Sequence, residues 1–176
     1  MSVYAQNFPT PVSTAYFESG LSLDDLLSLD LKGLEELYRK ADVPKLEEIH
    51  GDLRGRMLAT TILKEPFASL ARAWAGSMSF PWRGKSFTPL GNDRGQGMNR
   101  VFNDRTRLFR FETSIGKSKA GDFDAVHLDY DLPENPFFIR PIQDEIRKIG
   151  SKLYLGQAYL ALPKSTTLIL YFGLAG

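Results

Sequence analysis

Residues 143–174, QDEIRKIGSKLYLGQAYLALPKSTTLILYFGL, decide the fold. Apolar residues alternate or run together in three short segments, and the breaks at Gly150-Ser151 and Pro163-Lys164-Ser165 carry turn chemistry. Three strands joined by tight turns make an antiparallel meander, whose apolar face must be buried against further strands. Those strands are available upstream. The expected result is a small barrel or a strongly curved sheet.

Working back from the meander, Phe137 to Arg140 reads as a short extended piece between Pro136 and Pro141, and Asp131 to Asn135 as a loop. Strands are expected over Phe123–Tyr130, Arg107–Ile115, Gln96–Phe102 and Trp82–Thr88, separated by Gly116–Asp122, Asn103–Arg105 and the glycine-rich loop Gly91–Gly95. One more strand begins at Gly51. With the meander this makes about eight to nine strands, the pattern of a mainly β chain closed into a barrel. No fixed-period repeat argues for a propeller or solenoid.

The remaining segments are helical or irregular. Ser22 and Asp25 have an acidic version of the capping-box spacing, which predicts a helix from Leu23 to Leu29. Leu31, Leu34, Leu37 and Tyr38 recur at three- and four-residue steps and predict a second helix, stopped before Pro44. Phe67, Leu70, Ala71 and Trp74 have helical spacing too, and a helix there could plug one end of a barrel. Residues 1–20, with Pro9 and Pro11, read as an extended aromatic arm, and 21–176 as one barrel domain capped by helices.

Composition narrows the function classes. The 176 residues allow one domain with a full core, and a net charge of +1 without any basic block argues against nucleic acid. There is no cysteine and there are two histidines, so neither a thiolate nor a His-rich metal site is expected. The glycine run before Gln96 lies between strands, so it supports neither a P-loop nor a dinucleotide turn, and no cofactor is expected. The stretch MSVYAQNFPTPVSTAYF lacks a charged segment followed by an apolar core, and no transmembrane run is present; a soluble, cytoplasmic protein is the expectation.

Candidate site residues follow from strand alternation. Phe109, Phe111, Thr113 and Ile115 share an apolar face with Arg107, leaving Arg110 and Glu112 as a solvated face. Val126, Leu128 and Tyr130 share another inward face. His127 and Asp129 lie on the reverse, where they form either a general-base pair or a chance exposed pair. A buried Tyr130 phenol needs a partner, and in a barrel that partner could be a ligand. Over residues 142–149 neither face is cleanly apolar, so either Arg147 points inward beside Glu145 or charge protects an edge strand. Gly156 and Ala158 share a face with Tyr154 and leave space on it.

Two runs resemble a known family. Pro81-Trp82-Arg83-Gly84-Lys85-Ser86-Phe87 is similar to the Trp-x-Gly-Lys signature of small lipocalin-like bacterial proteins named for a Gly-x-Trp-x-Gly motif. Asp144-Glu145-Ile146-Arg147-Lys148-Ile149 with Leu155-Gly156 resembles their closing strand and hairpin, preceded by a similar Leu128-Asp129-Tyr130-Asp131. Phe80 stands where the first glycine of the signature falls. The resemblance implies a lipocalin-like, calycin-type barrel.

The resulting expectation is a barrel that holds a small, mostly apolar or lipid-like molecule carrying a polar group. Phe109, Phe111, Leu128 and Leu170 would line it; Tyr130, Arg147 and Tyr154 would orient the polar end, with Trp82 and Asp144 completing the candidate set. The alternatives are an isomerase, lyase or hydrolase drawing an acid-base pair from Asp144, Arg147, Tyr130 and His127, and a non-catalytic interaction module, including a homodimer built through the arm or the helices. No individual catalytic residue is assigned.

Overall fold

The computed structural model describes residues 20–63, 81–91, 93–102 and 105–176. Ser22 opens helix α1, Leu23–Leu27, with a reciprocal cap: its hydroxyl accepts from the Asp25 amide, and the Asp25 carboxylate accepts from the Ser22 amide. Helix α2, Leu31–Lys40, is capped by Asp30, whose carboxylate accepts from Gly33 at 2.7 Å. The chain turns extended at Ala41, passes Pro44 and makes a single 3-10 turn at Leu46–Glu48.

Eight strands follow: β1 Gly51–Thr60, β2 Trp82–Gly91, β3 Arg94–Val101, β4 Thr106–Lys117, β5 Asp124–Asp129, β6 Ile142–Gly150, β7 Leu153–Leu162 and β8 Ser165–Ala175. Each pairs antiparallel with the next, and β8 pairs with β1, so the barrel is closed. Closure leaves no edge strand to protect, which removes the edge-strand explanation for the charges of β6.

The expected strands and the first two helices lie close to where the periodicity put them. Residues 137–140 do not. They form a turn rather than an extended piece, because the Pro136 carbonyl accepts from the amides of Ile139 and Arg140. The hairpin between β2 and β3 is also tighter than the glycine-rich loop suggested, since β2 continues to Gly91 and β3 starts at Arg94. The aromatic arm and the helix expected around Phe67 to Trp74 fall outside the described residues.

Two apolar layers hold this arrangement. One fills the barrel, from Leu46, Ile49 and Leu53 through Phe87, Phe111, Val126, Leu128 and Ile146 to Tyr154 and Leu174. The other lies between the helices and the outer wall, where Leu23, Leu26, Leu34, Leu37 and Tyr38 pack with Leu58, Ile149, Leu155 and Tyr171. The 3-10 turn closes one end of the barrel, while α1 and α2 lie along its side. Strand β6 is therefore covered on both faces, which is why neither of its faces reads as a solvent face.

Arg147 belongs to the outer layer, and the inward reading of its side chain is corrected. Its guanidinium donates to the carbonyls of Ala41 and Asp124 and stacks 4.2 Å from the centre of the Phe123 ring. Glu145 is buried on the same side, accepting from the Ser118 hydroxyl at 2.7 Å, the Lys119 amide at 2.9 Å and the Tyr38 hydroxyl at 3.2 Å. Both charges serve the joint between helix and barrel. Among the described residues no helix is long and apolar enough to cross a membrane.

Candidate functional site

Side chains fill only part of the barrel. At the end where β1, β3, β5 and β7 finish, a cavity of about 420 Å³ remains, within the range of small-molecule sites. Its wall is mostly apolar: Met57, Trp82, Val101, Phe102, Leu108, Phe109, Ile139, Ile142, Ala158, Ile169, Leu170 and Phe172. Its polar groups, Lys85, Asn99, Tyr130 and Asp144, come from four different strands or strand ends and converge.

Local backbone irregularities place these groups. In a regular strand Trp82 and Lys85, three residues apart, would point to opposite faces. Between them the pairing of β2 with β3 slips by one residue at Gly84, whose φ of +132° is a conformation L side chains rarely adopt. A Cβ there would lie 2.0 Å from the Leu53 carbonyl oxygen. The bulge turns both Trp82 and Lys85 inward. A second slip, between Met98 and Asn99, leaves Phe109 as the extra residue of β4 at φ +57°, so that Leu108 and Phe109 both reach the cavity.

At the cavity floor Lys85 is 2% exposed and Asp144 4%. The Lys85 ammonium donates to Asn99 Oδ1 at 2.9 Å and Tyr130 Oη at 2.5 Å, and pairs with Asp144 Oδ2 at 2.9 Å. Tyr130 Oη donates to Asp144 Oδ2 at 3.0 Å. Asn99 Nδ2 donates to Tyr130 Oη and to the Phe109 carbonyl, both at 3.2 Å, and Trp82 Nε1 donates to Asn99 Oδ1 at 3.0 Å. Around the ammonium stand the rings of Trp82, Phe111, Tyr130 and Phe172, with centres 5.2 to 5.5 Å away. Asp144 Oδ1 is buried with no hydrogen-bond partner among the described residues.

Burial dominates the proton affinities. It lowers the Lys85 pKa from its ordinary value, and the Asp144 carboxylate only partly offsets that loss. It raises the Tyr130 phenol well above its ordinary value, an effect reinforced by the neighbouring Asp144 charge. The floor thus combines a desolvated amine, a carboxylate and a phenol that stays protonated.

Of the residues singled out from the sequence, Trp82, Phe109, Tyr130, Asp144 and Leu170 line the cavity. Phe111 and Leu128 are fully buried beneath it, with Phe111 edge-on to Tyr130 at 5.4 Å between ring centres. Tyr154 is inside the barrel but toward the closed end, its hydroxyl 3.4 Å from the Glu48 carbonyl oxygen, so it does not reach the cavity polar group. Arg147 and His127 lie on the outer side. The neighbour of His127 is Glu145, with Nδ1 3.6 Å from its carboxylate, whereas Asp129 accepts from the Asp131 amide.

Lys85 and Asn99 were missed. Asn99 occupies an inward position in the alternation Gly95, Gly97, Asn99, Val101, where an amide among small and apolar residues was a usable signal. Lys85 stands in the quoted Trp-x-Gly-Lys run, but nothing in its spacing reveals the slip that turns it inward.

Among known proteins, no family model and no curated protein matches the chain. A solved structure, the crystal structure of a protein from Thermomonospora curvata, aligns over 84% of this chain and 87% of that one, with 18% identity and a TM-score of 0.49.

Proposed function

We propose that the barrel binds one small, mostly apolar molecule, whose polar group rests on the floor formed by Lys85, Asn99, Tyr130 and Asp144. One observation carries the reading: a cavity of about 420 Å³ walled by apolar side chains meets its polar groups together at one depth. An apolar body gains affinity from leaving water, and a clustered polar floor fixes its orientation.

Titration with an apolar fluorescent probe tests this. The expected result is saturable binding with a stoichiometry near one, abolished by Ala158→Phe, which fills the cavity from the β7 wall. Weak, non-saturating fluorescence that ignores the substitution would overturn the reading.

Catalysis at the same floor is a second reading, favoured by the 3.0 Å contact between Tyr130 Oη and Asp144 Oδ2 with Lys85 beside both. Arg147 and His127, named with them from the sequence, have no part in it. The interaction-module alternative loses one support, because the apolar residues of α1 and α2 are already packed on the barrel wall.

A further inference from the structure

We propose that Lys85 captures an apolar aldehyde in the cavity as a protonated imine, with Asp144 as its counterion. The inference deepens the ligand-binding reading and rests on it.

The Lys85 ammonium has three N–H bonds and three acceptors, Asn99 Oδ1, Tyr130 Oη and Asp144 Oδ2. A protonated imine nitrogen keeps one. Two acceptors therefore lose a donor when the imine forms, and a buried acceptor left bare is costly. Here neither is left bare: Asn99 Oδ1 still accepts from Trp82 Nε1, and Tyr130 Oη still accepts from Asn99 Nδ2. Asp144 Oδ2 keeps the Tyr130 hydroxyl and receives the remaining N–H. A lysine serving only as a structural cation does not need this second set of donors.

Charge follows the same logic. The imine retains one positive charge between the same four rings and beside the same carboxylate, so the site changes neither its net charge nor its counterion. Asp144 Oδ1, which has no hydrogen-bond partner among the described residues, offers a place for the proton that must move during the reaction.

The step balances without another reagent. The Lys85 ammonium first gives a proton to Asp144, a transfer eased by the desolvation that lowers its proton affinity. The free amine lone pair attacks the aldehyde carbon, the C=O π pair moves to oxygen, and a proton passes from nitrogen to that oxygen to give a carbinolamine. Asp144 then protonates the hydroxyl, which leaves as water while the nitrogen lone pair forms C=N. Amine and aldehyde become imine and water, and Asp144 ends ionised beside the iminium.

Borohydride chemistry tests the proposal on the full chain. With n-decanal and sodium cyanoborohydride near neutral pH, one decyl group is expected on the peptide containing Lys85, roughly tenfold or more faster than on exposed lysines. Excess n-decanol, which fills the cavity without a carbonyl, should slow that labelling. The double variant Lys85→Met/Asp144→Leu, folded by circular dichroism, should lose the fast label while its exposed lysines are labelled as before. Labelling of Lys85 no faster than exposed lysines, with the probe still bound, would overturn the imine and leave the binding reading intact. Loss of probe binding in the unsubstituted protein would overturn both.

Discussion

Lys85 is a costly residue for the barrel to bury. Bringing an amine and a carboxylate out of water costs several kcal/mol per ion, and only close pairing with further hydrogen bonds offsets it. Both conditions are met, since Lys85 and Asp144 are 2.9 Å apart and Asn99 and Tyr130 complete the shell. Replacing one partner should therefore hurt more than replacing both. Lys85→Met is expected to lower unfolding stability by about 3–5 kcal/mol by stranding Asp144, and Lys85→Met/Asp144→Leu to recover most of that loss. Urea unfolding of the two variants checks the difference; equal losses would mean that the pair is not coupled. Apolar side chains of similar volume would fill the floor at less cost, so the polar cluster favours the proposed binding site over a purely structural role. Its position was half legible in the sequence. Tyr130 follows regular alternation from the apolar residues of its strand, whereas Asp144 lies on a strand with charge on both faces and Lys85 depends on a one-residue slip at Gly84 that alternation cannot reveal.

At the scale of an element, β6 shows what pattern reading does and does not recover. The turn that ends it, and the next one between β7 and β8, are visible because Gly150-Ser151 and Pro163-Lys164-Ser165 interrupt clear strand patterns. Which face was inside was not visible, because the periodicity of a strand separates its faces without naming them when both carry charge. Its neighbours settle the choice. Ile142, Asp144 and Ile146 turn inward with Leu128 and Tyr130, and Glu145 and Arg147 turn toward α2. The cavity depends on a similar long-range detail: the space above Gly156 is taken by the Phe172 ring, and a Cβ there would lie 2.2 Å from it, whereas Ala158 faces open space. Arg147→Ala should therefore act as a break in the helix-barrel joint. The Ala41 and Asp124 carbonyls lose a charged donor and Phe123 loses its stacking partner, an expected destabilisation of about 2–3 kcal/mol. Probe affinity should be unchanged in the folded variant. A large fall in affinity with normal stability would instead return Arg147 to the ligand.

At the scale of the whole molecule, the buried phenols and Lys85 set the alkaline limit of the fold with opposite signs. Burial raises the pKa of Tyr38, Tyr130, Tyr154, Tyr159 and Tyr171 above the ordinary 10.0 of a phenol, and nearby Glu145, Asp144, Glu48 or Glu35 charges add to the effect. An unfolded chain releases those protons near pH 10 while the barrel holds them. Their contribution to stability is thus complete below about pH 10 and is lost as pH rises above it. Lys85 runs the other way: its folded pKa lies below the ordinary 10.5, so the unfolded state binds more protons between the two values and stability rises with pH across that window. The gain ends near pH 10.5, where the loss from the five phenols is already growing. The melting temperature should therefore fall steeply above about pH 10. Phenolate absorbance from the buried tyrosines should appear only with the cooperative loss of circular dichroism, because their ionisation and unfolding are one event. Tyr130→Phe removes one of these phenols and should make the alkaline decline shallower. Smooth ionisation of all tyrosines near their ordinary pKa, with the barrel still folded, would mean that these phenols, Tyr130 on the cavity floor among them, are open to water.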